Sequence, residues 1–205
     1  MDNLDYLAQI AAQTAPPQKK PVFSPFLIKI LIGLTAALAL VLILGIIVNS
    51  VNGKTTTLYQ SFYLRIQGLS SESGSIATYA RDVHSSELRA LASTLKSTLS
   101  ATTQNFTGIL AELNISTTDI HPDVVAAEVG HLTNYITTLQ DAKLNGILDR
   151  TFANSTTLQI SLLLVQLSDM LQRNPSDSAR IVIDQTKTNL ELLHARFVQF
   201  NNSSS

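Results

Sequence analysis

Two pairs of residues have the spacing of a metal site. Glu128-Val-Gly-His131 and Glu191-Leu-Leu-His194 each set a carboxylate and an imidazole three positions apart. One turn of helix would put both groups on the same side, as in bundles that hold two iron or manganese ions. Such a site also takes one carboxylate from each of two further helices, which Glu72, Glu87 or Glu112 could supply. Helical phase argues against assembly. Each residue turns the helix by about 100°, so a ligand must lie near the direction of the apolar stripe. Against the stripe Ala179–Phe200, Glu191 points roughly 135° away and His194 roughly 75° away. Against Val125–Leu139, Glu128 lies roughly 55° off and His131 more than 100° off. Glu112 and Glu87 sit roughly 120° and 100° from the stripe Leu88–Leu113. The expectation is a set of solvated faces with no metal.

Other chemistry finds less support. His84, His121, His131 and His194 are scattered, with no Gly-x-Ser-x-Gly elbow and no His-Glu-x-x-His zinc motif. The eight glycines are dispersed, so no phosphate-cradling loop forms. There is no cysteine, which removes disulfides, thiolate metal sites and thiol catalysis. The sequence therefore predicts no catalytic residue, no cofactor and no metal ligand, and a protein that is not an enzyme. Arg150, beside Asp149 and Phe152, is expected to anchor a corner by pairing with an acid or capping carbonyls. Five Asn-x-Ser/Thr triplets begin at Asn105, Asn114, Asn154, Asn201 and Asn202. In a chain that is about one-fifth Ser and Thr they stand barely above chance.

The segment that positions everything else is Ile30–Val48, nineteen residues without charge or proline. As a helix it would reach roughly 28 Å, close to the hydrocarbon thickness of a bilayer. It is too long for a cleaved signal peptide and lacks a small-x-small exit, so it reads as a retained signal-anchor. Lys19, Lys20 and Lys29 precede it and Lys54 and Arg65 follow, which favours a cytoplasmic N-terminus. Residues 1–24 are then a short cytoplasmic tail, with Pro16, Pro17 and Pro21 stiffening it. Residues 25–49 form the transmembrane helix, 54–201 an extracytoplasmic helical bundle, and 202–205 a disordered C-terminus.

Past the span the chain carries eleven Lys/Arg and thirteen Asp/Glu, a net charge of −2 (11 − 13). No basic stripe exists to meet phosphates, so nucleic acid is excluded as a partner. Apolar positions recur every three or four residues: Leu58-Phe62-Ile66-Leu69, then Leu88 to Leu113, Val125 to Leu139, Leu148 to Val165, and Ala179 to Phe200. Breaks are expected near Gly74, over Asn114–His121 ahead of Pro122, and at Asn174-Pro175, while Asn145-Gly146 either ends or bends a helix. Short links between long helices make sequence neighbours antiparallel. The fold class is all-α: one transmembrane helix followed by an antiparallel bundle of four to five helices.

In helix order, and in the segment Leu144–Leu167 (LNGILDRTFANSTTLQISLLLVQL) entering a long apolar helix, residues 54–201 resemble the ferritin-like, membrane-tethered four-helix domains of unknown function found outside bacterial cytoplasmic membranes. The resemblance implies a bundle and a location and assigns no catalytic residue. The expected partners are the lipid bilayer and a protein partner, or further copies of the chain. The functions that follow are a structural or protein-interaction module at the cell surface, an extracytoplasmic small-molecule sensing domain, or a ferritin-like metal-binding bundle.

Overall fold

The computed structural model describes residues 53–71 and 75–203. These belong to the second of the chain's two units, Ser50–Ser205. The tail and the Ile30–Val48 run lie outside the described residues. Among the described residues no helix is long and apolar enough to cross a membrane.

The described residues form six helices and no strand: α1 (53–70), α2 (Ser75–Ala80), α3 (Ser86–Glu112), α4 (Pro122–Leu144), α5 (Leu148–Gln172) and α6 (Asp177–Ser203). The all-α reading holds. The last helix outruns its expected end, since Asn202 and Ser203 are helical where a disordered terminus was anticipated.

Each helix buries one stripe. On α1 the aromatic and aliphatic residues Tyr59, Phe62, Tyr63, Ile66 and Leu69 turn inward. Phe62 meets Phe106 of α3 with ring centroids 4.6 Å apart. The stripe Leu88-Ala92-Leu95-Leu99-Thr102-Phe106-Leu110 of α3 and the stripe Ala179-Thr186-Leu190-Leu193-Phe197-Phe200 of α6 are buried as the periodicity predicts. Cross-links fix the directions. Ser61 and Thr55 of α1 pair with Gln166 and Arg173 of α5, so those helices run antiparallel. Ser161 and Thr157 of α5 pair with His194 and Asn201 of α6, again antiparallel. Glu112 at the end of α3 meets Ser176 and Ser178 at the start of α6. Helices α1, α3, α6 and α5 make a four-membered bundle, and α2 packs on α3. Helix α4 packs as a fifth member against α2 and α5, and it reaches α1 through side chains from Ser61 to Gly68.

Two stripes fall elsewhere than expected. On α4, Val125 and Val129 are 38% and 58% exposed, and the buried residues are Glu128, Tyr135, Leu139 and Ala142. On α5, Leu158 and Val165 are exposed, and Thr156, Ile160, Leu163, Leu167 and Met170 face the core. Helix α5 is apolar almost all round between Leu158 and Leu167, so sequence period alone left its phase open.

The connections are built from caps. Helix α3 ends with Asn114 at φ 54°, and the Ile115 amide donates back to the Leu110 carbonyl over 2.8 Å. Helix α4 ends the same way at Gly146, φ 71°, with the Ile147 amide on the Ala142 carbonyl. Both are left-handed caps that satisfy otherwise orphaned carbonyls. Asn174, φ 51°, ends α5, and Pro175 behind it has no N–H to donate. Pro122 opens α4 under His121, whose Nδ1 accepts from the Asp123 amide. The alternative of a bend at Asn145-Gly146 is thereby decided in favour of a stop.

Glycine substitutions should separate by sign. Gly146→Ala forces an L residue into the left-handed region and is expected to destabilise the fold by about 1 kcal/mol. A Cβ at Gly108 or Gly130, both inside helices, meets nothing within 4 Å. Gly108→Ala and Gly130→Ala should therefore each stabilise by about 0.5–1 kcal/mol. Urea melts of the full chain in mild detergent, followed by far-UV circular dichroism, would read the contrast.

Candidate functional site: a buried ion pair at the floor of an apolar cleft

Turning Glu128 inward brings a carboxylate to the α1–α4 seam, where Arg65 receives it. Arg65 Nε donates to Glu128 Oε2 at 2.8 Å and Nη2 donates to Oε1 at 3.0 Å, a bidentate fork. The two side chains are 10% and 8% exposed. Ser61, one turn before Arg65 on α1, donates its hydroxyl to Glu128 Oε1. Gln166 of α5 donates Nε2 to Ser61 Oγ at 3.0 Å. A directional chain thus runs from α5 through α1 to α4. Its far end is incomplete, because Gln166 Oε1 is buried and accepts from no described residue.

Above the pair lies a cleft of about 220 Å³, walled by Leu64 and Leu69 of α1 and by Val125, Val129 and Leu132 of α4. Gln67, Ser71, His131 and Gln159 border it, and Arg65 and Glu128 complete its polar lining. Gly68 sets how close its two helices come. A Cβ there would stand 3.0 Å from Leu132 Cδ2, so the leucine tip would have to shift by a few tenths of an ångström to admit it.

The residues singled out by spacing are dispersed. Within the first pair, Glu128 is buried while His131 is exposed. Within the second, Glu191 is exposed and paired with Lys187 at 2.7 Å on its own helix. Its partner residue, His194, turns to Ser161, with Nε2 2.9 Å from Oγ. The same Ser161 Oγ lies 3.0 Å from the Thr157 carbonyl, a second acceptor for its one hydroxyl hydrogen. Glu87 is exposed at the start of α3. Glu112 accepts from Ser178 and Ser176, and these hydroxyls hold its carboxyl below the usual range. Glu72 lies outside the described residues. Among the described residues no three His, Asp or Glu side chains gather as a metal site would require.

The corner role expected of Arg150 belongs to its neighbour. Arg150 is exposed, while Asp149 accepts from the His84 and Ser85 amides at 2.8 Å each. The reason is electrostatic. The start of α3 presents unpaired N–H groups, which need an acceptor, and a guanidinium has none. Nearby, Lys143 and Asp82 pair at 2.8 Å, which raises the Lys143 ammonium above its ordinary value.

Sequence reading did not find Arg65, Ser61 or Gln166. Arg65 follows Leu64 on a helix with few other charges, and that was the available sign of a buried role. Tyr135 also escaped notice. Its hydroxyl lies 2.7 Å from Thr156 Oγ1, and burial pushes its ionisation well above the ordinary phenol value of 10.0.

Glu128→Ala leaves Arg65 buried without a counter-charge and should cost about 3–5 kcal/mol, whereas Arg65→Met with Glu128→Leu should recover most of that loss. A double-mutant cycle in urea reads the difference. For Tyr135 the folded state favours the protonated phenol. Its contribution is complete below pH 10 and falls as pH rises past the unfolded phenol's value. Stability of the wild type should therefore drop above pH 10 more steeply than that of Tyr135→Phe, as measured by thermal melts across that range.

Compared with protein-family models, curated proteins and solved structures, the chain matches none.

Proposed function

We propose that the chain is a non-enzymatic, membrane-anchored helical bundle that acts as a structural or protein-interaction module at the cell surface. One observation carries the reading. Nineteen uncharged residues with Thr35 as the one polar side chain, Ile30–Val48, stand shortly before a bundle that begins at residue 53. Such a run in water would need a partner for every face of its helix, and a bilayer supplies one. The orientation follows from Lys19, Lys20 and Lys29 ahead of the run.

The bundle's surface supports an interaction role over a catalytic one. Hydroxyl groups along the helices are largely turned back on their own backbone, as in Thr94 to Ala90, Ser97 to Ser93 and Thr107 to Thr103. Side chains bonded in this way cover the surface without offering charge. Large apolar side chains stand exposed among them, Leu158 and Val165 on α5 and Ile181 and Leu192 on α6. Aliphatic contacts set in a neutral polar surface suit a partner that docks by shape and burial.

The full chain expressed in bacterial cells tests this reading. It should stay with the membrane pellet through an alkaline carbonate wash. Protease added outside the cytoplasmic membrane should remove the 54–201 unit and leave the tail protected. Release into the soluble fraction would overturn the anchor, and protection of the bundle would overturn the orientation. Chemical cross-linking before solubilisation should give a species heavier than the monomer, and a purely monomeric product would remove the interaction role.

A further inference from the structure

We propose that the α1–α4 cleft is a binding site for a small uncharged amphiphile, with an aliphatic or aromatic body and a hydrogen-bond acceptor at one end. The inference is independent of membrane anchoring and rests on how the cleft is made.

Helix α4 has an apolar stripe available, yet it presents Val125 and Val129 outward and buries Glu128. That rotation removes an ion pair from water, which costs several kcal/mol per ion before attraction offsets it, and leaves two valines on a cleft wall. Departures from the locally favoured pattern concentrate at functional sites. An apolar body lying against Val125, Val129 and Leu64 would take those surfaces out of water.

The polar floor sets the other half of the ligand. The guanidinium of Arg65 has five N–H groups. Two are given to Glu128 and one-end contact with solvent is slight, since the side chain is 10% exposed. Nη1 donates to no described residue and is not sealed from water, so an acceptor seated in the cleft that Arg65 lines would take the place of that water. Because Glu128 already neutralises the charge, an anionic ligand would gain no net attraction and would lie beside a carboxylate. An uncharged carbonyl or hydroxyl oxygen avoids both penalties. The volume, about 220 Å³, falls below the roughly 300–1,000 Å³ of sites for larger ligands, so the body is limited to a single ring or short chain.

The test uses the full chain in lipid nanodiscs, with empty nanodiscs as the blank, and fluorine NMR line broadening as the readout. Three para-substituted fluorobenzenes are compared: 4-fluoroacetanilide, which is neutral with an acceptor; 4-fluorophenylacetate, which is anionic; and the slightly smaller 4-fluoroethylbenzene, which has no acceptor. The neutral amide should bind saturably on the order of 1 mM, as a ligand of this size allows, and about tenfold more tightly than either of the others. Val129→Asp and Val125→Asp each place a charge on the exposed wall and should weaken amide binding about tenfold with helicity unchanged by circular dichroism. Leu144→Asp, 80% exposed at the far end of α4 and outside the cleft, should bind as the wild type does. No saturable broadening above the blank, preference for the carboxylate or the hydrocarbon, or unchanged binding in both valine variants would each overturn the assignment.

Discussion

The bidentate bond between Arg65 and Glu128 decides how α4 sits. A carboxylate cannot be buried alone, because the desolvation cost of the charge exceeds what one helix–helix contact returns. Once Arg65 offers a planar fork at the α1 surface, Glu128 has a low-energy inward position, and the phase of the whole helix follows from it. Tyr135, Leu139 and Ala142 then fall toward the bundle at the same heading, and Val125 and Val129 fall outside. The cleft is a consequence of that choice. Few residues of α4 are buried, so a hydrophobic stripe had little with which to oppose the ion pair.

The other connections are polar in the same specific sense. Gln60, buried at 6% exposure, donates to the Ser116 and Asp119 carbonyls and pins the long loop between α3 and α4. Asp149 holds the start of α3 and Glu112 the start of α6, each a negative group at a helix N-terminal end where the backbone dipole favours it. These contacts join residues about sixty positions apart. They convert a set of amphipathic helices, which could slide along one another, into one register.

Legibility in the sequence divides along physical lines. Helices α3 and α6 each bury one stripe and solvate the rest, so Leu88 to Leu110 and Ala179 to Phe200 could be placed by period alone. Proline and the Asn/Gly stops gave the helix ends, because left-handed caps and missing donors are local events. The phase of α4 was not legible, since Glu128 is an interior residue through Arg65, sixty-three positions away, and Ser61, sixty-seven away. Nor was that of α5, whose apolar residues cover most of its circumference. The corner was misassigned to Arg150 because the need at the start of α3 is for an acceptor, which becomes apparent once that helix is oriented. The floor of the candidate site is thus the part that depended most on tertiary structure.

Low charge and a high share of Ser and Thr have a common consequence for recognition. Lys187–Glu191 is an i,i+4 ion pair, and elsewhere the hydroxyl groups of Thr103, Thr138, Thr157, Ser168 and Thr188 bond the carbonyl four residues back. Such bonds add little to helix stability, which must come from the buried stripes. They do leave a wettable surface on which charges are sparse, at 14% of the chain. A partner would not be steered from a distance to such a surface, so encounter depends little on salt. In the interaction role proposed for the bundle, discrimination would then rest on contact itself: the fit of aliphatic side chains, and the cost of leaving a hydroxyl or amide unpaired.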